Sequence, residues 1–251
     1  MLNLLLTDLK RFLKDRTFYV GLTILTLYGF ISVRNSACYE GACEKIDGSF
    51  LLLGVPIAVI LFIVFFISFF LGSDYEEGTI RNKIIVGKKR KEIYLSNLLI
   101  SLLAVTLYFV VYYLSIRYGL YHYKATIDLN KTILNYLLFD SYLAILALVS
   151  LFVFASMLIR SKAGGLLTNL IGYGFLVFES LAVFGAFLSS KLAQSKEIRL
   201  MLEMIPSIQL SAMQNDYEMI VNYKTMWIGS LFFIAIINAL GMLLFEVKDL
   251  K

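Results

Sequence analysis

LLLGVPIAVILFIVFFISFFLG, Leu51–Gly72, contains no charged side chain. At 1.5 Å of rise per residue, about 20 mostly apolar residues cross the hydrocarbon core of a bilayer, so this run reads as a membrane-spanning helix. Its Pro56 is compatible with that reading, because neighbouring helices or polar side chains can satisfy the carbonyl that proline frees. No strand pattern competes for the segment.

The composition carries the same message across the whole chain. Of 251 residues, 59% are hydrophobic and 16% charged, whereas a soluble domain carries about 25% charged residues. Only two prolines interrupt it. The span rule then gives six candidates, at residues 18–33, 50–72, 94–116, 134–158, 164–189 and 225–247, the first being the shortest. Trp227 opens the last, a ring suited to the headgroup layer. The expected fold is an all-α membrane protein forming a single domain over residues 1–251, with six transmembrane helices.

Orientation follows from lysine and arginine. Lys10, Arg11, Lys14, Arg16, Arg81, Lys83, Lys88, Lys89, Arg90, Lys91, Arg160, Lys162, Lys248 and Lys251 fall on one side, in the shorter connections. That majority of the 23 basic residues places both termini in the cytoplasm by the positive-inside rule. The same distribution accounts for the net charge of +5 without nucleic acid.

Residues 1–16 differ from a span. Leu2, Leu5, Leu6, Leu9, Phe12 and Leu13 recur at helical spacing, with Asp8, Lys10, Arg11, Lys14 and Asp15 on other faces. The charges deny a signal peptide its unbroken apolar core. The pattern predicts an amphipathic helix in the inner membrane interface.

Outside the membrane, Cys38 and Cys43 stand in CYEGAC. They are either bonded, which the oxidising side permits, or two free thiols. Between the fifth and sixth spans, residues 191–224 are too long for a plain hairpin. They contain an apolar run around Leu200, Met204 and Ile208, interrupted by Pro206. That run is too short to cross a bilayer, and the expectation is a helix packed on the outer surface rather than a re-entrant segment.

Catalytic motifs are missing. The lone His122 reads as a solvated loop residue, with no acid or nucleophile arranged beside it. Gly87 and Lys88 lack the upstream glycine and following hydroxyl of a phosphate-binding loop. The chain is expected not to be an enzyme, and any ATP and magnesium would belong to a partner.

The loop at residues 73–92 is the most patterned polar stretch. In Ser73–Asn97, SDYEEGTIRNKIIVGKKRKEIYLSN, Thr79 is an expected N-cap, and Glu76 and Glu77 put negative charge near a helix start. Ile80 and Ile84 share a face, and Gly87 is placed to end the helix. A short capped helix between two spans follows.

The run Glu76-Glu77-Gly78-Thr79-Ile80-Arg81-Asn82-Lys83, after a charge-free second span, resembles the first cytoplasmic loop of ABC transporter permeases of the type-2 exporter class. In that family the motif forms a coupling helix that docks on the ATPase. The resemblance implies a bacterial inner (cytoplasmic) membrane subunit, split from its ATPase. It would work with two ATPase copies and a second permease subunit, in a homodimer or heterodimer. Ile80 and Ile84 would fill a groove on the ATPase, with Arg81 and Lys83 pairing at its rim. The cargo would be hydrophobic or amphipathic: a peptide, a lipid or a drug-like molecule. The competing readings are an ion-coupled secondary transporter and a membrane scaffold without transport.

Inside the spans, Asp140 and Glu179 are the ionisable candidates for a substrate pathway, since a charge there is costly. Asn169 and Asn238 are expected to hydrogen-bond between helices. Gly172, Gly174 and Gly185 are expected to allow close helix approach.

Overall fold

The computed structural model describes residues 1–39, 42–43, 51–52, 57–124, 130–159, 161–188, 200, 203–215 and 222–247. Along them run α1 (Leu2–Phe12), α2 (Arg16–Ala37), a ladder of β1 (Cys38–Tyr39) and β2 (Ala42–Cys43), α3 (Ile57–Glu76) and α4 (Thr79–Ile85). They continue with α5 (Arg90–His122), α6 (Lys131–Leu158), α7 (Lys162–Leu188), α8 (Pro206–Asn215) and α9 (Tyr223–Val247). Six of these, α2, α3, α5, α6, α7 and α9, are long and apolar enough to span a membrane.

The expected spans are all present, with shifted ends. Helix α2 begins at Arg16 because Asp15 caps it: the Thr17 N–H donates to Asp15 Oδ1 at 2.8 Å. Helix α6 begins at Lys131 by the same device, the Thr132 N–H donating to Asn130 Oδ1 at 3.0 Å. Helix α3 continues four residues past its expected end, to Glu76, and α5 starts at Arg90. The polar connector between them is therefore shorter than the sequence pattern implies. His122 lies in the last turn of α5, beside Tyr118, Tyr123 and Phe30, and not in a loop.

The ladder sets Cys38 opposite Cys43. The expectation of a bond between them falls on side chains outside the described residues.

Helix α6 is the hub, packed by α3, α5, α7, α8 and α9. Lipid supplies no hydrophobic drive between helices, so small residues and interhelical hydrogen bonds carry the association. Along α6 the buried face holds Ser141, Ala144, Ala147, Ser150 and Ser156. Asn169 of α7 donates to Ser156 Oγ at 2.7 Å and to Ser68 Oγ of α3 at 2.8 Å, tying three spans at one side chain. Asn238 of α9 accepts from the Tyr94 hydroxyl of α5 at 3.1 Å. Both asparagines act as the sequence predicts.

Gly172 and Gly174 do not. An added Cβ at Gly172 or Gly174 would meet open space, while Gly185 lies among the residues whose side-chain surroundings are not described. Close approach falls at other glycines, Gly72, Gly229 and Gly241 among them, and at several where α2 runs alongside α5. There a Cβ on Gly21 would come within 2.6 Å of the Tyr108 hydroxyl, and one on Gly119 within 3.0 Å of Val33. That same hydroxyl donates to the Phe18 carbonyl at 3.1 Å.

The segment between the fifth and sixth spans corrects another expectation. Helix α8 is not a surface element: Ser207, Ile208, Gln209, Leu210 and Met213 are buried, and it packs on α6, α7 and α9. Ser141 of α6 contacts Met213 Sδ at 2.8 Å. At 1.5 Å per residue, Ser141 lies about 15 Å along α6 from its first residue, so α8 reaches well into the bundle. Its anchor is Gln209. The amide donates to the Glu203 carbonyl at 2.8 Å and the Met226 carbonyl at 3.2 Å, and accepts from Ser230 at 2.8 Å. Counting apolar residues missed this, because a re-entrant helix and a surface helix have the same length.

Candidate functional site

Helix α4 and its supports are the best-defined polar constellation. Gly78 precedes the helix with φ 67°, the left-handed region that costs a side-chain-bearing residue strain, and it is the N-cap in place of Thr79. The Thr79 hydroxyl turns away from the helix start and donates to Asp74 Oδ1 at 2.9 Å. At the other end Gly87 has φ 85°. The Lys88 N–H reaches the Lys83 carbonyl at 3.1 Å and the Gly87 N–H reaches the Ile84 carbonyl at 2.9 Å. This paired closure satisfies carbonyls the helix leaves open, and it is the stop that the sequence assigns to Gly87.

Below α4 lies a charged cluster drawn from four elements. Arg11 of α1 pairs with Asp74 of α3, and its guanidinium lies 4.1 Å from the Phe70 ring centroid. Lys83 of α4 donates to Asp8 Oδ1 at 2.7 Å and lies 3.6 Å from Asp74. Ser96 of α5 donates to the other Asp8 oxygen at 2.6 Å. Both carboxylates are almost wholly buried. Burial lowers Lys83 from the ordinary lysine value, against the opposing pull of its hydrogen bond and charge contact with Asp8. Burial lowers Arg11 likewise, opposed chiefly by the charge of Asp8.

Two sequence assignments change here. Lys83 faces inward and does not offer a rim charge. Ile80 is 2% exposed and belongs to the protein's own core, so it cannot fill a partner's groove; Ile84 is half-buried. Helix α4 instead presents Arg81 and Asn82, with Ile85 at 72% and Val86 at 77% exposure, while Glu76 and Glu77 are exposed just before it. The shift has a simple cause. A helix of seven residues has to spend one face on attachment, and the face nearest α3 and α5 is the one carrying Ile80 and Lys83.

Asp8, Arg11, Asp74 and Ser96 escaped the sequence reading. One signal was there. Leu4, Asp8 and Phe12, four residues apart, form the buried stripe of α1, while Leu2, Leu6 and Leu13 remain exposed. A carboxylate centred in the inward stripe demands a cation from another element, and only the fold names Lys83.

Asp140 of α6 is fully buried, and neither carboxylate oxygen has a hydrogen-bond partner among the described residues. Glu179 of α7 is half-buried. Among the described residues no hydrogen bond or ion pair joins the two.

The fold and this cluster define a multi-pass helical membrane protein with a short helix mounted on one end of its bundle. No protein-family model matches the chain, and no curated protein matches it.

Proposed function

We propose that the chain is the membrane-spanning subunit of an ATP-binding-cassette exporter of the type-2 class, moving a hydrophobic or amphipathic substrate and driven by a separate ATPase. One observation carries the reading. Helix α4 is tied by Lys83 to Asp8 of α1 and Asp74 of α3, and Ser96 of α5 bonds the same Asp8, while Ile85 and Val86 are left without apolar cover.

A short helix held this way transmits a push to two spans. A partner gripping Ile85 and Val86 displaces α4, and the tie of Lys83 to Asp74 carries the displacement into the end of α3, while Asp8 and Ser96 pass it to α5. Arg81 and the Glu76–Glu77 pair flank the apolar tip and give the contact its orientation. In this reading the α1 end faces the cytoplasm of a bacterial cell, with both termini there. Two ATPase subunits serve a pair of permeases, and ATP and magnesium sit on the ATPases.

The test is co-purification from the native membrane. The wild-type chain brings down a stoichiometric ATPase; the double variant Ile85→Asp, Val86→Asp loses it while keeping its thermal stability, because both residues are exposed. An ATPase retained at full stoichiometry by the double variant sinks the proposal. Ile80→Asp is unsuitable, since it buries a charge in the core.

The unpartnered carboxylate of Asp140 favours a second reading, an ion-coupled transporter. Asp140→Asn separates the two. It abolishes gradient-driven transport under the second reading and leaves ATPase-linked transport intact under the first.

A further inference from the structure

An open groove of about 300 Å³ runs between the start of α2 and the middle of α3, lined by Arg16, Thr17, Val20 and Gly21 on one side and Phe62, Phe65, Phe66 and Phe69 on the other. The four phenylalanines follow helical spacing, so one stripe of α3 forms the wall. Ring contacts fix the direction of the two helices. Phe12, just ahead of α2, meets Phe70, and Phe18 meets Phe66, so the chain ascends in α2 as it descends in α3. Arg16 therefore stands at the Phe69 end of the groove, and Gly21 at the Phe62 end.

We infer that this groove binds one acyl chain of an anionic phospholipid from the leaflet at the α1 end, with its phosphate at Arg16. The lining is almost wholly apolar, and Val20 and Phe65 are exposed at its edges, so the groove opens where the two spans face lipid. Arg16 is exposed and makes no ion pair among the described residues. The nearest acid in sequence, Asp15, is engaged with the N–H and hydroxyl of Thr17 as the cap of α2. Lys162, which lies over the Phe69 ring at 5.0 Å, has Glu76 at 4.0 Å. The mouth of the groove thus carries an exposed guanidinium with no ion-pair partner among the described residues, above an apolar slot. Those are the two halves of an anionic lipid, and the site is independent of the exporter reading.

Lipid-dependent quenching tests it on the full-length chain in vesicles. The single native tryptophan is removed by Trp227→Phe, and a reporter is placed in the groove by Phe65→Trp. Brominated phosphatidylglycerol is compared with brominated phosphatidylcholine, each diluted into the other unlabelled lipid. The expected preference for phosphatidylglycerol at the groove is about fivefold, the usual worth of one basic residue at an anionic surface. Arg16→Gln removes the preference and Arg16→Lys keeps it. A control reporter at Leu27→Trp, on the same helix and lipid-exposed, shows no preference in either background. Equal quenching by the two lipids at the groove, or a preference that survives Arg16→Gln, overturns the inference. So does absence of quenching by either, which means that protein, such as a second copy of the chain, fills the groove.

Discussion

The two ends of the bundle are fastened by different chemistry. At the α1 end, Asp8, Arg11, Asp74 and Lys83 join α1, α3 and α4 by buried ion pairs, and Ser96 of α5 adds a hydrogen bond to Asp8. At the far end, α8 is fastened by Gln209, whose neutral amide both donates to carbonyls and accepts from Ser230. Depth in the apolar bundle explains the contrast. Helix α8 is inserted among spans, where an ion is costly and one amide can satisfy donors and acceptors at once. The α1 end lies where α3 and α5 reach polar connections, so charge is tolerable. There it also secures α4, whose seven residues are too few to be a stable helix alone. The exposed pair Lys91–Glu246, 2.9 Å apart and half solvated at both partners, shows what the cluster is not. Such a surface pair contributes about 0–1 kcal/mol.

The contrast breaks most visibly at Asp74. Asp74→Ala leaves Arg11 and Lys83 with too little counter-charge and is expected to cost about 3–5 kcal/mol, as removal of one partner from a buried pair does. In detergent the variant shows a lower melting temperature and faster tryptic cleavage within α1. Unchanged values on both measures mean that the ionic ties do not hold α1 and α4. Gln209→Ala comes next. Three neutral hydrogen bonds at about 1 kcal/mol each give a loss of about 2–3 kcal/mol, read as a melting shift with α1 cleavage unchanged. Accelerated cleavage in α1 would instead couple the two ends.

The smallest effect is in pH. Folded Lys83 binds its proton less tightly than the unfolded chain does. Below the ordinary lysine value the unfolded chain therefore holds more protons, and stability rises with pH across the mildly alkaline window. Lys83→Met flattens that slope, whereas Gln209→Ala shifts the whole curve down and preserves it. A slope identical in Lys83→Met and wild type removes Lys83 as its source.

Periodicity and hydropathy made the spans legible, because a bilayer imposes one requirement, about 20 apolar residues, that any window along the chain can test. Gly87 was legible as well, since a left-handed stop calls for glycine. Asn169 and Asn238 were readable as interhelical bonds, because an amide in a span has few other fates. The orientation of α4 was not readable. Ile80, Ile84, Ile85 and Val86 are equally apolar, and nothing local says which of them the bundle covers. The depth of α8 was hidden for the same reason: Gln209 looks like any polar residue until the carbonyls of Glu203 and Met226 are brought to it.

The sequence by itself determined a helical membrane protein of six spans, with a short helix after the second span that ends at Gly87. Those are properties of contiguous residues, set by spacing and by local backbone demands. Only the tertiary structure decided that Lys83 points at Asp8, 75 residues away, and that Ile85 and Val86 are the uncovered apolar pair. A buried charge is stabilised by whichever partner the fold delivers within about 4 Å, and that delivery depends on how helices pack rather than on the order of residues along the chain.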